Sequence, residues 1–195
     1  DLQALRKKGA NVVSLNYPGP FGVLPPYGID EEALKYLDDA INWAGEVGLY
    51  VIIHLRNGPG KSEETFYGEE GREDEKIWYS EGAKVKWAEM WEFVAQRYKD
   101  KPHIVGYNLM VEPHPEDPVK QKPLPASSWV NLAKRITGAI RKVDKDTPII
   151  VGATVWSNPI AFSDLKPTGD ERTIYSFHMY EPYEFTHQGL EWAGK

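Results

Sequence analysis

Residues 103–116 read HIVGYNLMVEPHPE. From Ile104 to Val111 the run is apolar apart from Asn108, rich in β-branched and aromatic side chains, and too short for a helix. A strand half open to water alternates apolar and polar residues. One that is apolar throughout belongs in a parallel sheet whose two faces are both covered. Pro113 lacks the N–H that a ladder needs, so the strand stops there. A carboxylate, Glu112, therefore stands where a buried strand ends.

The pattern repeats on either side. NVVSLNY (11–17) is a short strand run that ends in the turn signal PGPFG. GIDEEALKYLDDAINWAGEVG (28–48) has an Asp30 cap, acidic residues in its first turn and apolar residues at helical spacing, closed by Gly48. LYVIIHL (49–55) is a second apolar strand, and the polar, Gly-rich stretch 56–80 reads as a loop. EGAKVKWAEMWEFVAQRYKD (81–100) is a helix stopped before Pro102. After the strand 103–111, a Pro-rich loop runs from 113 to 125. SSWVNLAKRITGAIRKVD (127–144) is a helix with a Ser cap, and TPIIVGATVW (147–156) is a strand. A short helical segment covers 159–165, and ERTIYSFHMY (171–180) is the last strand before the closing EPYEFTHQGLEWAGK.

Strand and helix thus alternate, which implies an α/β fold with five parallel strands. No GxGxxG or GxxxxGK[ST] loop is present, so a nucleotide-binding doubly wound sheet lacks its signature. The polar and aromatic clusters all follow strands: PGPF, HLRNGPG, VEPHPE, VWSN and FHMYEPYEF. Functional groups gathered at C-terminal strand ends are the habit of a (β/α)8 barrel. Five strands leave three unaccounted for, one before Asp1 and two after Lys195. The expectation is therefore a single, partial (β/α)8 TIM barrel domain over residues 1–195.

With 195 residues, 41% of them hydrophobic, the chain can bury a sizeable core. Its net charge of −6 argues against nucleic acid as a partner. The absence of cysteine excludes disulfides and thiolate metal sites. No apolar run approaches the roughly 20 residues of a membrane span, and no signal peptide is visible. The opening DLQALRKKGAN reads as the tail of a helix.

Glu112 is the candidate acid. Apolar walls of strand would raise its pKa, and a protonated carboxyl beside a glycosidic oxygen is what sugar cleavage requires. His178 and Tyr180 are two residues apart on the last strand and point to one side, bringing an imidazole and a phenol to one mouth. Trp156 at a strand end offers a sugar platform, His114 lines the same mouth, and Tyr17 closes the first strand. Arg56 ends its strand with a guanidinium that can hold a carboxylate ionised. His54, two residues earlier, is deeper and structural. Glu63 and Glu64 are loop acids that solvation explains. Each candidate also has a plain structural reading: a salt-bridged Glu, a core His bonded to backbone, an aromatic used in packing. Scattered histidines without HExxH spacing give no metal site, and no GxSxG elbow supplies a serine nucleophile.

These residues resemble glycoside hydrolase family 5, the cellulase family of retaining (β/α)8 glycosidases. The resemblance runs from the barrel's first helix to its sixth strand and rests on GANVVSLNYP, LYVIIHLRNGPG, the VEP after GYNLM, and FHMYEP. It implies that Glu112 is the acid/base, that His178 and Tyr180 occupy the family's His-x-Tyr, and that Trp156 matches a Trp position after the fifth strand. Three positions depart from the family. Val111 stands where an Asn bonds the sugar 2-hydroxyl, Ser14 where the second strand carries an Arg, and Arg56 where the third carries a His. The nucleophile, a Glu ending the seventh strand, has no match. Neither Glu181 nor Glu191 fits its motif.

The implied function is a retaining glycoside hydrolase of β-linked polysaccharide, with no cofactor, at work outside the cell or in the periplasm. The alternatives are a catalytically silent carbohydrate-binding relative and an inactive truncated piece. An open five-stranded sheet exposes two edges, so the chain as it stands is expected to self-associate.

Overall fold

The computed structural model describes residues 2–62, 76–117 and 122–190. The elements run in chain order α1 (Leu2–Lys7), β1 (Val12–Tyr17), α2 (Glu31–Glu46), β2 (Tyr50–Leu55), α3 (Glu81–Tyr98) and β3 (Ile104–Asn108). A two-residue antiparallel pair, β4 (Glu116–Asp117) and β5 (Lys122–Pro123), precedes α4 (Ser127–Val143). Then come β6 (Ile149–Gly152), α5 (Thr154–Ser157), a 3-10 helix (Pro159–Asp164), β7 (Thr173–Ser176) and α6 (Tyr183–Thr186).

The main sheet has the order β1-β2-β3-β6-β7, and each neighbouring pair is parallel. Each new strand adds on the same side of the last. A doubly wound sheet reverses its strand order at a switch point, and this one never does. The five strands and alternating helices are the winding of part of a (β/α)8 barrel.

The helices explain which strand face is dry. In α2, Leu34, Leu37, Ile41 and Ala44 recur at helical spacing and are all buried. Asp30 accepts the Ala33 N–H at 2.9 Å, the expected cap. Leu37, Ile41 and Ala44 and the buried stripes of α3 and α4 pack on Val51, Ile53, Leu55, Tyr107, Ile149 and Val151. Across the α2–α3 seam, Arg97 grips Asp38 with two hydrogen bonds of 2.9 and 2.6 Å, and the Tyr98 hydroxyl adds a third at 2.8 Å.

The other sheet face corrects the expectation that both faces are covered. In its middle, His54 and Ile150 are buried. Toward its edges Val12, Tyr50 and Ile174 are 43%, 51% and 53% exposed. An apolar run signals a parallel strand, but it does not say whether enough chain surrounds it to dry both faces.

Three element boundaries also differ from expectation. The last two strands end early, at Gly152 and Ser176. Helix α4 starts from Ala126 with no side-chain cap; Ser127 is already its first residue, after a turn in which the Ser128 N–H reaches the Pro125 carbonyl at 2.9 Å. The stretch 56–80 is loop up to Ser62, but Ile77 and Trp78 at its far end are buried in the core. The candidates Glu63, Glu64 and Glu191 lie outside the described residues.

Candidate active site

Strand β3 stops at Asn108, and the next three residues are buried while the chain leaves the ladder. What fixes this departure is helix α3. Trp87 and Trp91, one helical turn apart, both donate indole N–H groups to the Leu109 carbonyl, at 3.3 and 2.9 Å. Val111 then donates its N–H to the Leu55 carbonyl at 3.1 Å, tying the segment to the end of β2. Glu112 follows with φ of 42°, a left-handed conformation that is uncommon for any residue but glycine and disfavoured before proline. So Glu112 is not the last residue of a strand. It sits on a turn four residues past the ladder, held by α3 from behind and β2 from the side.

Glu112 Oε1 meets His178 Nδ1 at 2.6 Å. This contact, together with the Arg56 charge nearby, holds the carboxyl below its ordinary value, although burial pushes the other way. The expectation of a raised pKa is therefore overturned. A hydrogen-bonding partner 66 residues away in sequence outweighs the apolar walls. The expectation that Arg56 favours the ionised form holds in direction.

His178 and Tyr180 lie beyond β7, not on it, yet their rings stay on one side, 6.3 Å apart and edge to face. His178 is anchored by its own N–H, which donates to the Ser157 carbonyl at 2.8 Å. Burial and then the Glu112 charge push the Tyr180 hydroxyl up. Both residues therefore gather on Glu112 itself.

Arg56 donates its Nε–H to Asn16 Oδ1 at 3.1 Å, so β1 aims the guanidinium that ends β2. Asn16 escaped the sequence reading. Its only signal is the parallel register that sets it opposite His54, and no local pattern reveals that register. His54 is 7% exposed and its pKa is lowered to about 4, chiefly by burial, so it is neutral. It bonds the Met110 backbone, while its Nε2 has no hydrogen-bond partner among the described residues.

Trp156 is not on a strand end. Val155, Trp156 and Ser157 have φ of 56°, 55° and 59°, three successive left-handed residues. Such residues cost on the order of 1–3 kcal/mol each and persist only where the surroundings over-determine them. Ser157 is buried against Gly152, where an added Cβ would come within 2.6 Å of its Oγ. The Trp156 ring, 42% exposed, stacks on His114 at 3.6 Å between centroids and 12° between planes. Tyr17 is placed apart. It lines a cleft of about 420 Å³ with Phe21, Tyr36, Asp30 and Asn57 beside the N-terminus of α2. Glu181 is turned to its own loop, where it accepts the Tyr183 N–H at 3.2 Å. Among the described residues, no group of three or more His, Cys, Asp and Glu side chains could hold a metal ion.

Chemically, a carboxylate, two imidazoles, a guanidinium and a phenol converge on one turn, with an indole beside them. Known proteins resemble the chain as a whole. Endoglucanase C of Acetivibrio thermocellus is 23% identical over 163 residues, covering 84% of this chain and 43% of that protein. A beta-xylosidase of Phanerodontia chrysosporium is 27% identical, over 95% of this chain and 38% of its own length. The crystal structure of endoglucanase Cel5A from Thermotoga maritima superposes with a TM-score of 0.74 at 27% identity, covering 98% of this chain and 56% of Cel5A. Cel5A structures also exist in complex with cellobiose and with mannotriose. The chain thus spans about half the length of the relatives it matches. The pattern of the cellulase family, glycosyl hydrolase family 5, matches residues 1–193, and the chain belongs to that family.

Proposed function

We propose that this chain carries the acid/base half of a retaining glycoside hydrolase that cleaves O-glycosidic bonds of β-linked polysaccharide, with Glu112 as the acid/base. The observation that carries the reading is the 2.6 Å contact between Glu112 and His178 at the mouth of a family 5 sheet, with Arg56 and Tyr180 alongside. Glu112 gives a proton to the leaving oxygen and later takes one from water. A carboxylate held ionised must first gain that proton. A second carboxylate about 5–5.5 Å away supplies the means, because two like charges so close cannot both stay ionised. That nucleophile has no counterpart in the sequence motifs of this chain. Tyr180 and His178 orient the pair of carboxyls, Trp156 stacks on the sugar with His114 behind it, and Arg56 and Tyr17 contribute further contacts. The family points to an enzyme at work outside the cell or in the periplasm.

The test is release of reducing ends from β-glucan, mannan and xylan by the chain and by Glu112→Gln. Release that is lost in the variant supports the proposal, and release that survives it contradicts the role of Glu112. Sugar binding without release by either protein favours the rival reading, a silent carbohydrate-binding relative, which the ionised Glu112 also suits.

A further inference from the structure

We propose that His114 is a positioning residue: it backs one face of the Trp156 indole and turns the opposite face into a fixed platform for a pyranose ring. The inference rests on the sugar-binding reading of this site. Its basis is the stack itself. At 3.6 Å and 12° the imidazole lies flat against the indole, closer than the roughly 4.5–7 Å at which offset or edge-to-face aromatic pairs usually meet. Trp156 nevertheless remains 42% exposed, so covering one face has not buried the ring.

The backbone beneath Trp156 is tied down on both sides of the ring. Its three left-handed residues are pinned by Asn158 N–H to the Val155 carbonyl at 3.0 Å and by His178 N–H to the Ser157 carbonyl at 2.8 Å. A flat plate against one face limits rotation of the indole about its side-chain bonds. His114 reaches this position because it is two residues past Glu112, on the same turn that Trp87 and Trp91 fix. The second bond, from His178 to the Ser157 carbonyl, links the Trp156 turn to the residue that grips Glu112. Platform and acid thus belong to one rigid unit, and a sugar ring stacked on the platform is set at a constant distance from the acid.

His114 itself is poorly placed to touch a sugar. Its Nδ1 is closed to solvent and has no hydrogen-bond partner among the described residues. The apolar face of a pyranose, a plane of axial C–H groups, is the chemistry that an open indole face accepts. The ligand class is therefore a β-linked oligosaccharide whose ring presents such a face.

The experiment is calorimetric titration of cellotetraose into the chain and into His114→Ala, His114→Gln, His114→Phe and Trp156→Ala, each checked for native circular dichroism. Loss of the stack should weaken binding roughly two- to tenfold in His114→Ala and His114→Gln, the scale of one aromatic pair. His114→Phe, which keeps a flat ring, should stay within about twofold of the parent. Equal affinity of parent and His114→Ala overturns the proposal, as does a His114→Phe variant as weak as alanine. So does a parent chain that binds no cellotetraose. A ligand-free check is proton NMR: the His114 ring protons should be shifted upfield by the indole and should relax in Trp156→Ala, and unshifted protons also overturn the stack. The hydrolase reading fails separately, on turnover that survives Glu112→Gln.

Discussion

Glu112 is left-handed, followed by proline and bonded to His178 at 2.6 Å, so its orientation and its charge are set by different parts of the chain. The orientation was legible. A Glu-Pro after an apolar run, and His and Tyr two apart after another, named the residues that meet. The charge was not, because burial and pairing shift a carboxyl in opposite directions and only the fold tells which partner arrives. Two measurements follow. In His178→Ala, the Glu112 titration followed by carboxyl-detected NMR should move upward, since the first cause of its depression is removed; an unmoved midpoint would contradict the pairing. The sign for stability also follows. With its folded pKa below the ordinary 4.5, Glu112 contributes stability above that value and loses it as pH falls through the folded one. Glu112→Gln should therefore show a shallower acid loss of stability below pH 4.5 than the parent, and parallel curves would refute this.

At the scale of elements, helix α3 does for β3 what a cap does for a helix. Its two indoles serve the single Leu109 carbonyl as the strand breaks off. Trp91→Phe leaves Trp87 in place and should cost about 1 kcal/mol, the net worth of one hydrogen bond. Trp87→Phe with Trp91→Phe strands a buried carbonyl, and roughly 1–3 kcal/mol more should appear in urea unfolding. A double variant as stable as the single would show that the indoles only fill space. Strand β2 carries a different signature. His54 is neutral down to about pH 4, while the unfolded imidazole titrates near 6.5. The unfolded chain then binds the extra proton first, so stability falls as pH drops from 6.5 toward 4, by on the order of 3 kcal/mol. His54→Gln should flatten that slope. The helices were legible because their apolar residues recur at a helical period, and Asp30 marked one start plainly. The ends of β6 and β7 were not. The apolar runs 147–156 and 171–180 continue past the ladder, and nothing in a one-dimensional pattern says where the backbone turns away. The Trp156 turn breaks the rule that left-handed residues are glycine, so no local signal announced it.

The whole molecule is a singly wound parallel sheet with β1 and β7 at its edges. The order β1-β2-β3-β6-β7 was legible from strand–helix alternation and from the lack of a phosphate loop, because each parallel crossover needs a helix and packs with one hand. That one sheet face lies open at its margins was not legible, since Val12, Tyr50 and Ile174 look like core in any sequence. Among the described residues both edge strands lack an outer partner, and with those exposed side chains they lead us to propose self-association: light scattering at micromolar concentration should report dimers or larger species, and a sharply melting monomer would contradict it. The proposed chemistry requires Glu112 to hand a proton to a leaving oxygen. The measurement that tests this most directly compares Glu112→Gln with its parent on a β-glucan and on a dinitrophenyl glycoside, whose leaving group needs no proton to depart. An acid at Glu112 implies a loss of roughly 10²- to 10⁴-fold on the glucan and a far smaller loss in glycosylation with the activated substrate. Equal losses on both, or none on the glucan, would remove Glu112 from the role of acid.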